Sequence, residues 1–258
     1  MIRTLLIIAG AALVLAIATL GGAAAIGGQD LARHGWAWTF HDGDGDTVRF
    51  ERDDGTREPD VTRTLAWTGG NRLVLDLAAD VTYVQGPEAG VVVTGPKSVT
   101  DRVVLDGDRL TMTEGDDTER VTFGWDHNGP TGWAESERLR ITVTAPSVVE
   151  FDVVGSSDLS ITAYDQETMS LSLTGSGDVT ASGRARTLTL NMTGSGDADL
   201  DALQAVDVRV DVSGSGDASV APTGEATIAL SGSGDVDLVG RPTKVTSSST
   251  GSGDIRRE

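Results

Sequence analysis

Six nearly identical tetrads fill the last hundred residues of this chain. They are Gly155-Ser156-Ser157-Asp158, Gly175-Ser176-Gly177-Asp178, Gly194-Ser195-Gly196-Asp197, Gly214-Ser215-Gly216-Asp217, Gly232-Ser233-Gly234-Asp235 and Gly251-Ser252-Gly253-Asp254. The aspartates advance by 20, 19, 20, 18 and 19 residues. A fixed period of this length marks an array in which each repeat is one supersecondary unit. Apolar residues stand two, four and six positions before each glycine: Met169, Leu171 and Leu173, then Leu188, Leu190 and Met192, then Val208, Val210 and Val212, then Ala226, Ile228 and Leu230. Period two means strands with one buried face. A shorter alternation follows each aspartate, as in Leu159 and Ile161 or Val179 and Ala181. Each repeat therefore reads as strand, tetrad turn, strand and second turn, the second turns carrying Ser182-Gly183 and Pro222-Thr223-Gly224.

One such coil cannot bury its own apolar row, but stacking on the next coil does. Equivalent strands then run the same way, about 4.8 Å apart. The expected fold is all-β: a right-handed single-stranded parallel β-helix of about 19–20 residues per coil. The last repeat reads Val245, Ser247 and Ser249 at the apolar offsets and Arg257 where earlier coils carry Ala181 or Leu200. Polar and charged residues there suit a capping coil that resists edge pairing. Upstream, Leu139, Ile141 and Val143 alternate, as do Val149, Phe151 and Val153, and Leu73–Leu77, Val81–Val84, Val91–Val93 and Leu110–Met112 read as further strands. The solenoid domain is placed at 66–258, after an acidic flexible linker at 29–65 in which Thr47–Phe50 could add a strand.

Residues 1–28 carry a second signal. Leu5 to Ile26 is almost wholly apolar, and 22 residues suffice to cross about 30 Å of hydrocarbon. Arg3 ahead of it sets the N-terminus on the cytoplasmic side, and Trp36 and Trp38 follow where interfacial aromatics gather. The expectation is one transmembrane helix in the bacterial inner membrane, with the β-domain outside the cytoplasm. The alternative is a signal peptide cleaved near Gly22-Ala23-Ala24-Ala25, which leaves a secreted domain. Formal net charge is −19, which excludes nucleic acid as a partner because phosphate contacts need Lys and Arg. There is no cysteine, hence neither disulfide nor thiol chemistry.

Three places invite chemistry. Stacking would align Asp178, Asp197, Asp217 and Asp235 in a row, and calcium favours carboxylate oxygens. The competing reading is a turn in which each aspartate bonds its own backbone. No resident cofactor is expected, with calcium on this row as the one candidate. Asp42-Gly43-Asp44-Gly45-Asp46 imitates the start of a calcium loop, but Thr47 and Asp53 occupy positions that need Gly and Glu. Phe123–Trp133 reads as a loop in which Trp125, His127 and Trp133 form a candidate binding surface. No catalytic residues are expected: His34, His41 and His127 are the only histidines, and the serines sit in repeated turns outside any G-x-S-x-G elbow. Arg184, Arg186, Arg209, Arg241 and Lys244 are sparse and out of register.

Leu139–Pro146, Val153–Leu159 and the repeated Gly-Ser-Gly-Asp closely resemble the bacterial head GIN domain family (DUF2807), labelled an auto-transporter adhesin; Leu75–Val81 resembles its opening strand pair. The resemblance covers residues 66–256. It implies a parallel β-helix lying outside the inner membrane and brings no catalytic residues. The reading is a non-enzymatic, membrane-anchored envelope protein whose solenoid presents a binding or adhesion surface to an envelope protein or glycan. The alternatives are a self-assembling structural solenoid and a polysaccharide-active β-helix enzyme.

Overall fold

The computed structural model describes residues 37–41, 47–52, 58–113, 118–126, 129–134 and 138–257, with side chains over 58–113 and 138–257. Residues 1–36, and with them the expected membrane segment, lie outside the described residues. Among the described residues no helix is long and apolar enough to cross a membrane. The chain divides into two units, Met1–Gly55 with Asp117–Trp133, and Thr56–Asp116 with Ala134–Glu258.

The first unit is a four-stranded sheet. Strand β1 (Ala37–His41) pairs antiparallel with β2 (Thr47–Arg52), and β2 runs parallel to β9 (Thr118–Asp126), whose other neighbour is β10 (Gly129–Ala134). Trp125 therefore belongs to β9 and Trp133 to β10, where a loop was expected; His127 lies outside the described residues. Val121, Phe123 and Trp125 alternate with polar residues or glycine, and branched and aromatic side chains favour pleated strands. Likewise the stretch 29–65, read as a linker, contains β1, β2 and the strand β3 (Asp60–Leu65), the last belonging to the second unit. The imitation calcium loop at Asp42–Asp46 is outside the described residues.

The second unit is a β-solenoid of about five turns. The tetrad glycines stack in one register, Gly155 on Gly175, Gly194, Gly214, Gly232 and Gly251, and all the strands carrying them pair in parallel. These strands are β12 (Glu150–Gly155), β13 (Asp158–Gly175), β14 (Val179–Gly194), β15 (Ala198–Gly214), β17 (Glu225–Gly232) and β19 (Lys244–Gly251). After the tetrads, β13, β14 and β15 continue into β16 (Ala218–Pro222), β18 (Val236–Leu238) and β20 (Ile255–Arg257) on a second ladder. The alternating apolar rows form the core: Leu171, Leu190, Val210, Ile228 and Leu238 are each at most 1% exposed. Burying a side chain of this size contributes about 1.5–3 kcal/mol, so the ladder core holds a fold that has no disulfide.

The second corners differ from the expected break between strands. Strands β13, β14 and β15 run through them, and the register slips there by a bulge, between Ile161 and Tyr164 in the first case. A bulge bends and twists a strand without ending its pairing.

At the N-terminal end the chain order and the stacking order part company. Strand β4 (Arg72–Asp76) stacks under β12, and β5 (Asp80–Gln85) stacks under the start of β13. These two form a coil that residues 86–149 separate from the one resting on it. Within that insertion, β6 (Gly90–Pro96) joins β3 antiparallel, α1 (Lys97–Thr100) makes a single turn, and β7 (Val103–Asp106) and β8 (Arg109–Met112) form a hairpin. Strand β11 (Arg140–Ala145) then pairs parallel with β5 on the side opposite β13. Three aromatic rings fill the wider core at this junction. Phe151 stands edge-on to Tyr83 at 5.0 Å and to Tyr164 at 6.1 Å, and the phenols donate to Ala145 O and Thr168 O.

The last coil carries an ionic knot. Arg256 Nη2 lies 2.8 Å from Asp235 Oδ2 and 3.6 Å from Asp254 Oδ2, with Asp237 Oδ1 3.9 Å from Nη1. The Asp254 amide holds the Asp235 carboxyl below the usual carboxylate range; desolvation opposes it, and the Arg256 guanidinium adds a further lowering by hydrogen bond and charge. A depressed native pKa adds stability above the unfolded value, near 4, and loses it as pH falls through the native value. Arg256→Gln should therefore raise the Asp235 titration midpoint and move acid fraying of β20 to higher pH. Carboxyl NMR titration of both forms checks this, and superimposable Asp235 curves would refute it.

Candidate binding groove

The aspartate row is where the sequence first suggested chemistry, and the structure gives it another task. Each carboxylate from Asp158 to Asp235 accepts a hydrogen bond from the backbone N–H of the aspartate one coil later. Asp178 N donates to Asp158 Oδ1 at 3.0 Å, Asp197 N to Asp178 at 2.9 Å, Asp217 N to Asp197 at 2.8 Å, Asp235 N to Asp217 at 2.7 Å and Asp254 N to Asp235 at 2.8 Å. The turn reading anticipated an acceptor for an amide of the same coil; the amide comes from the next coil because a 4.8 Å stacking distance brings it within reach. Main-chain bonds run beside these, from Ser195 N to Gly175 O and from Val179 N to Asp197 O. The row is a seam between coils. Among the described residues no three His, Asp or Glu side chains gather as metal ligands.

The first tetrad departs from the others, and the structure shows why. The second glycines sit directly over a carbonyl of the coil beneath: a Cβ on Gly216 would stand 1.9 Å from Gly196 O. Ser157 replaces that glycine where the coil beneath is β4–β5 and has no tetrad. Its side chain is fully buried and donates to Leu77 O.

The opposite corners, the second turns, frame an open groove of about 800 Å³ in the second unit. Asp165, Gln166 and Glu167 line it from one coil, Arg184, Ala185 and Arg186 from the next, and Gln204, Ala205 and Val206 from the third. Ala221, Thr223 and Gly240 extend it over two more coils. Register sets this arrangement, with Asp165 beside Arg184 and Arg184 beside Gln204. Arg184 Nη2 pairs with Asp165 Oδ2 at 3.0 Å, both well exposed. Gln85 from β5 braces the rim, donating to Asp165 O and accepting from Asp165 N, while Gln166 Nε2 donates to Pro146 O at 3.0 Å. Floor residues Ala185 and Ala205 are buried, and Val206 is 44% exposed.

Sequence reasoning passed over this groove. It noted Arg184 and Arg186 only as cations that do not recur. The available signal was positional: Asp165, Arg184 and Gln204 follow the ladder aspartates by seven, six and seven residues. Position recurs there while chemistry changes, which suits a surface that contacts something other than the next coil. Among the described residues that line the groove there is neither a histidine nor a cysteine. Burial pushes the phenols of Tyr83 and Tyr164 up, so both stay protonated at neutral pH.

Comparison with known proteins follows the fold. Residues 71–242 match the family model described as "Putative auto-transporter adhesin, head GIN domain". A crystal structure of a "putative adhesin" from Bacteroides fragilis shares the fold with a TM-score of 0.59 at 18% identity, covering 78% of this chain and 98% of that one. A "Putative lipid binding protein" from Parabacteroides distasonis superposes with a TM-score of 0.44 at 18% identity over 81% of this chain and 99% of its own. A "putative adhesin" from Parabacteroides merdae gives 0.43 at 14% identity, over 81% and 99%. No curated protein matches the sequence.

Proposed function

We propose, for a chain that belongs to the head GIN domain family, a non-enzymatic role as an envelope binding protein whose solenoid presents the second-turn groove to its partner. The observation that carries this is a groove spanning five coils, its described lining made of carboxylates, guanidiniums and amides over an alanine floor. The apolar run Leu5–Ile26 supports tethering to the inner membrane with the solenoid outside the cytoplasm. A right-handed parallel coil is the arrangement that crossover geometry favours for it.

The test is capture from crosslinked bacterial envelopes with the full chain as bait. Val206→Arg puts a long cation into the groove from an exposed position of β15, whereas Thr193→Arg alters an exposed position of β14 that does not line it. Wild type and Thr193→Arg should retain the same envelope material, and Val206→Arg should lose most of it. Equal capture by Val206→Arg, or glycan cleavage by the purified chain in a broad screen, would overturn the reading.

A further inference from the structure

We propose that the groove takes an uncharged glycan chain laid along the stacking axis, an inference that rests on the groove being the binding surface. Five successive coils contribute lining residues, and four steps of about 4.8 Å make a path of about 19 Å. That length suits an extended polymer.

The wall chemistry narrows the polymer. Asp165, Gln166, Glu167, Arg184, Arg186 and Gln204 are all planar polar side chains. A carboxylate accepts from two donors, a guanidinium offers paired donors, and an amide does both. Neighbouring hydroxyls on a sugar ring each donate and accept, so such planar groups can bridge them in pairs. Two of the six are already joined, Arg184 to Asp165. Glu167 and Arg186 face each other by register, between the pairs Gln166–Ala185 and Thr168–Thr187. Yet among the described residues neither side chain makes a hydrogen bond or ion pair. An acceptor and a donor fork thus stand open side by side above a floor of Ala185 and Ala205.

Charge and shape exclude the other extended ligands. Two carboxylates against two guanidiniums leave the walls neutral, and the chain as a whole carries −19, so a polyanion is repelled at long range. A lipid tail needs most of its surface enclosed, roughly 70–90% for a pocket ligand. This groove is open, and its floor is alanine and glycine. Among the described residues no aromatic side chain lines it, so each contact is weak and avidity has to come from many copies on one surface.

The experiment is a glycan array probed with the full chain in detergent, carrying neutral, uronic-acid-bearing and sulfated oligosaccharides of graded length. Signal is expected on neutral chains and should level off once they span the five coils. Glu167→Ala and Arg186→Ala should each lower it about fivefold, the effect of losing one or two exposed hydrogen bonds, with melting temperature unchanged. Preference for the charged glycans, or neutral binding that survives both substitutions, would overturn the inference. So would silence on every neutral chain. If Val206→Arg still abolishes envelope capture in that case, the groove stands and only its ligand has been misassigned.

Discussion

Gly216→Ala lowers the melting temperature by about 6–12 °C, while Gly155→Ala lowers it by about one third to two thirds of that. Gly216 has an ordinary backbone conformation, so only contact argues against a side chain there. The added methyl would meet Gly196 O at 1.9 Å, inside van der Waals contact, and the carbonyl belongs to a paired coil that cannot retreat alone. Overpacking of this kind costs about 1–3 kcal/mol or more, and about 3 kcal/mol corresponds to the stated shift at 2–4 °C per kcal/mol for a chain of this size. Gly155 presents the opposite case. Its φ is +91°, which an alanine tolerates poorly, but a Cβ there meets nothing within 4 Å. The penalty is then the conformational one alone, about 1–2 kcal/mol. Thermal melts of both variants separate close approach from backbone strain. Equal shifts would show that the carbonyl contact is not what selects glycine.

Phe151→Ala should lose about 3–5 kcal/mol in chemical denaturation. Phe151 is 1% exposed, between Tyr83 and Tyr164. Removing it leaves a ring-sized cavity and deletes two edge-to-face contacts, and Phe→Ala in a core typically costs this much. The loss should also be local. In a stack, stability is close to a sum of coil and nearest-neighbour contributions. Hydrogen exchange should therefore quicken in β4, β12 and β13 and change little in β17. Uniform quickening across the solenoid would contradict the additive picture.

These three residues also mark what the sequence could and could not disclose. The tetrad glycines, the three apolar offsets and the polar last coil are properties of a repeated unit, and repetition is visible in one dimension. Phe151 was legible as one inward position of a strand. Its partners were not, because Tyr83 arrives from a coil that residues 86–149 separate from the coil it supports. Ser157, standing in place of the tetrad's second glycine, becomes intelligible only with Leu77 O beneath it. The groove stayed hidden for a related reason: Glu167 and Arg186 oppose each other through a register that pairing creates. Trp125 and Trp133 were read as a loop because glycine and proline surround them, yet strand alternation prevailed.

The aspartate seam has a direction. Each carboxylate from Asp158 to Asp235 receives its amide from the coil that follows and none from the coil before. A chain delivered N-terminus first meets each new coil with a waiting acceptor already in place on the coil beneath. The seam is thus polar, and its last acceptor, the Asp254 carboxylate, faces a charged side chain in place of an amide, Arg256 Nη2 at 3.6 Å.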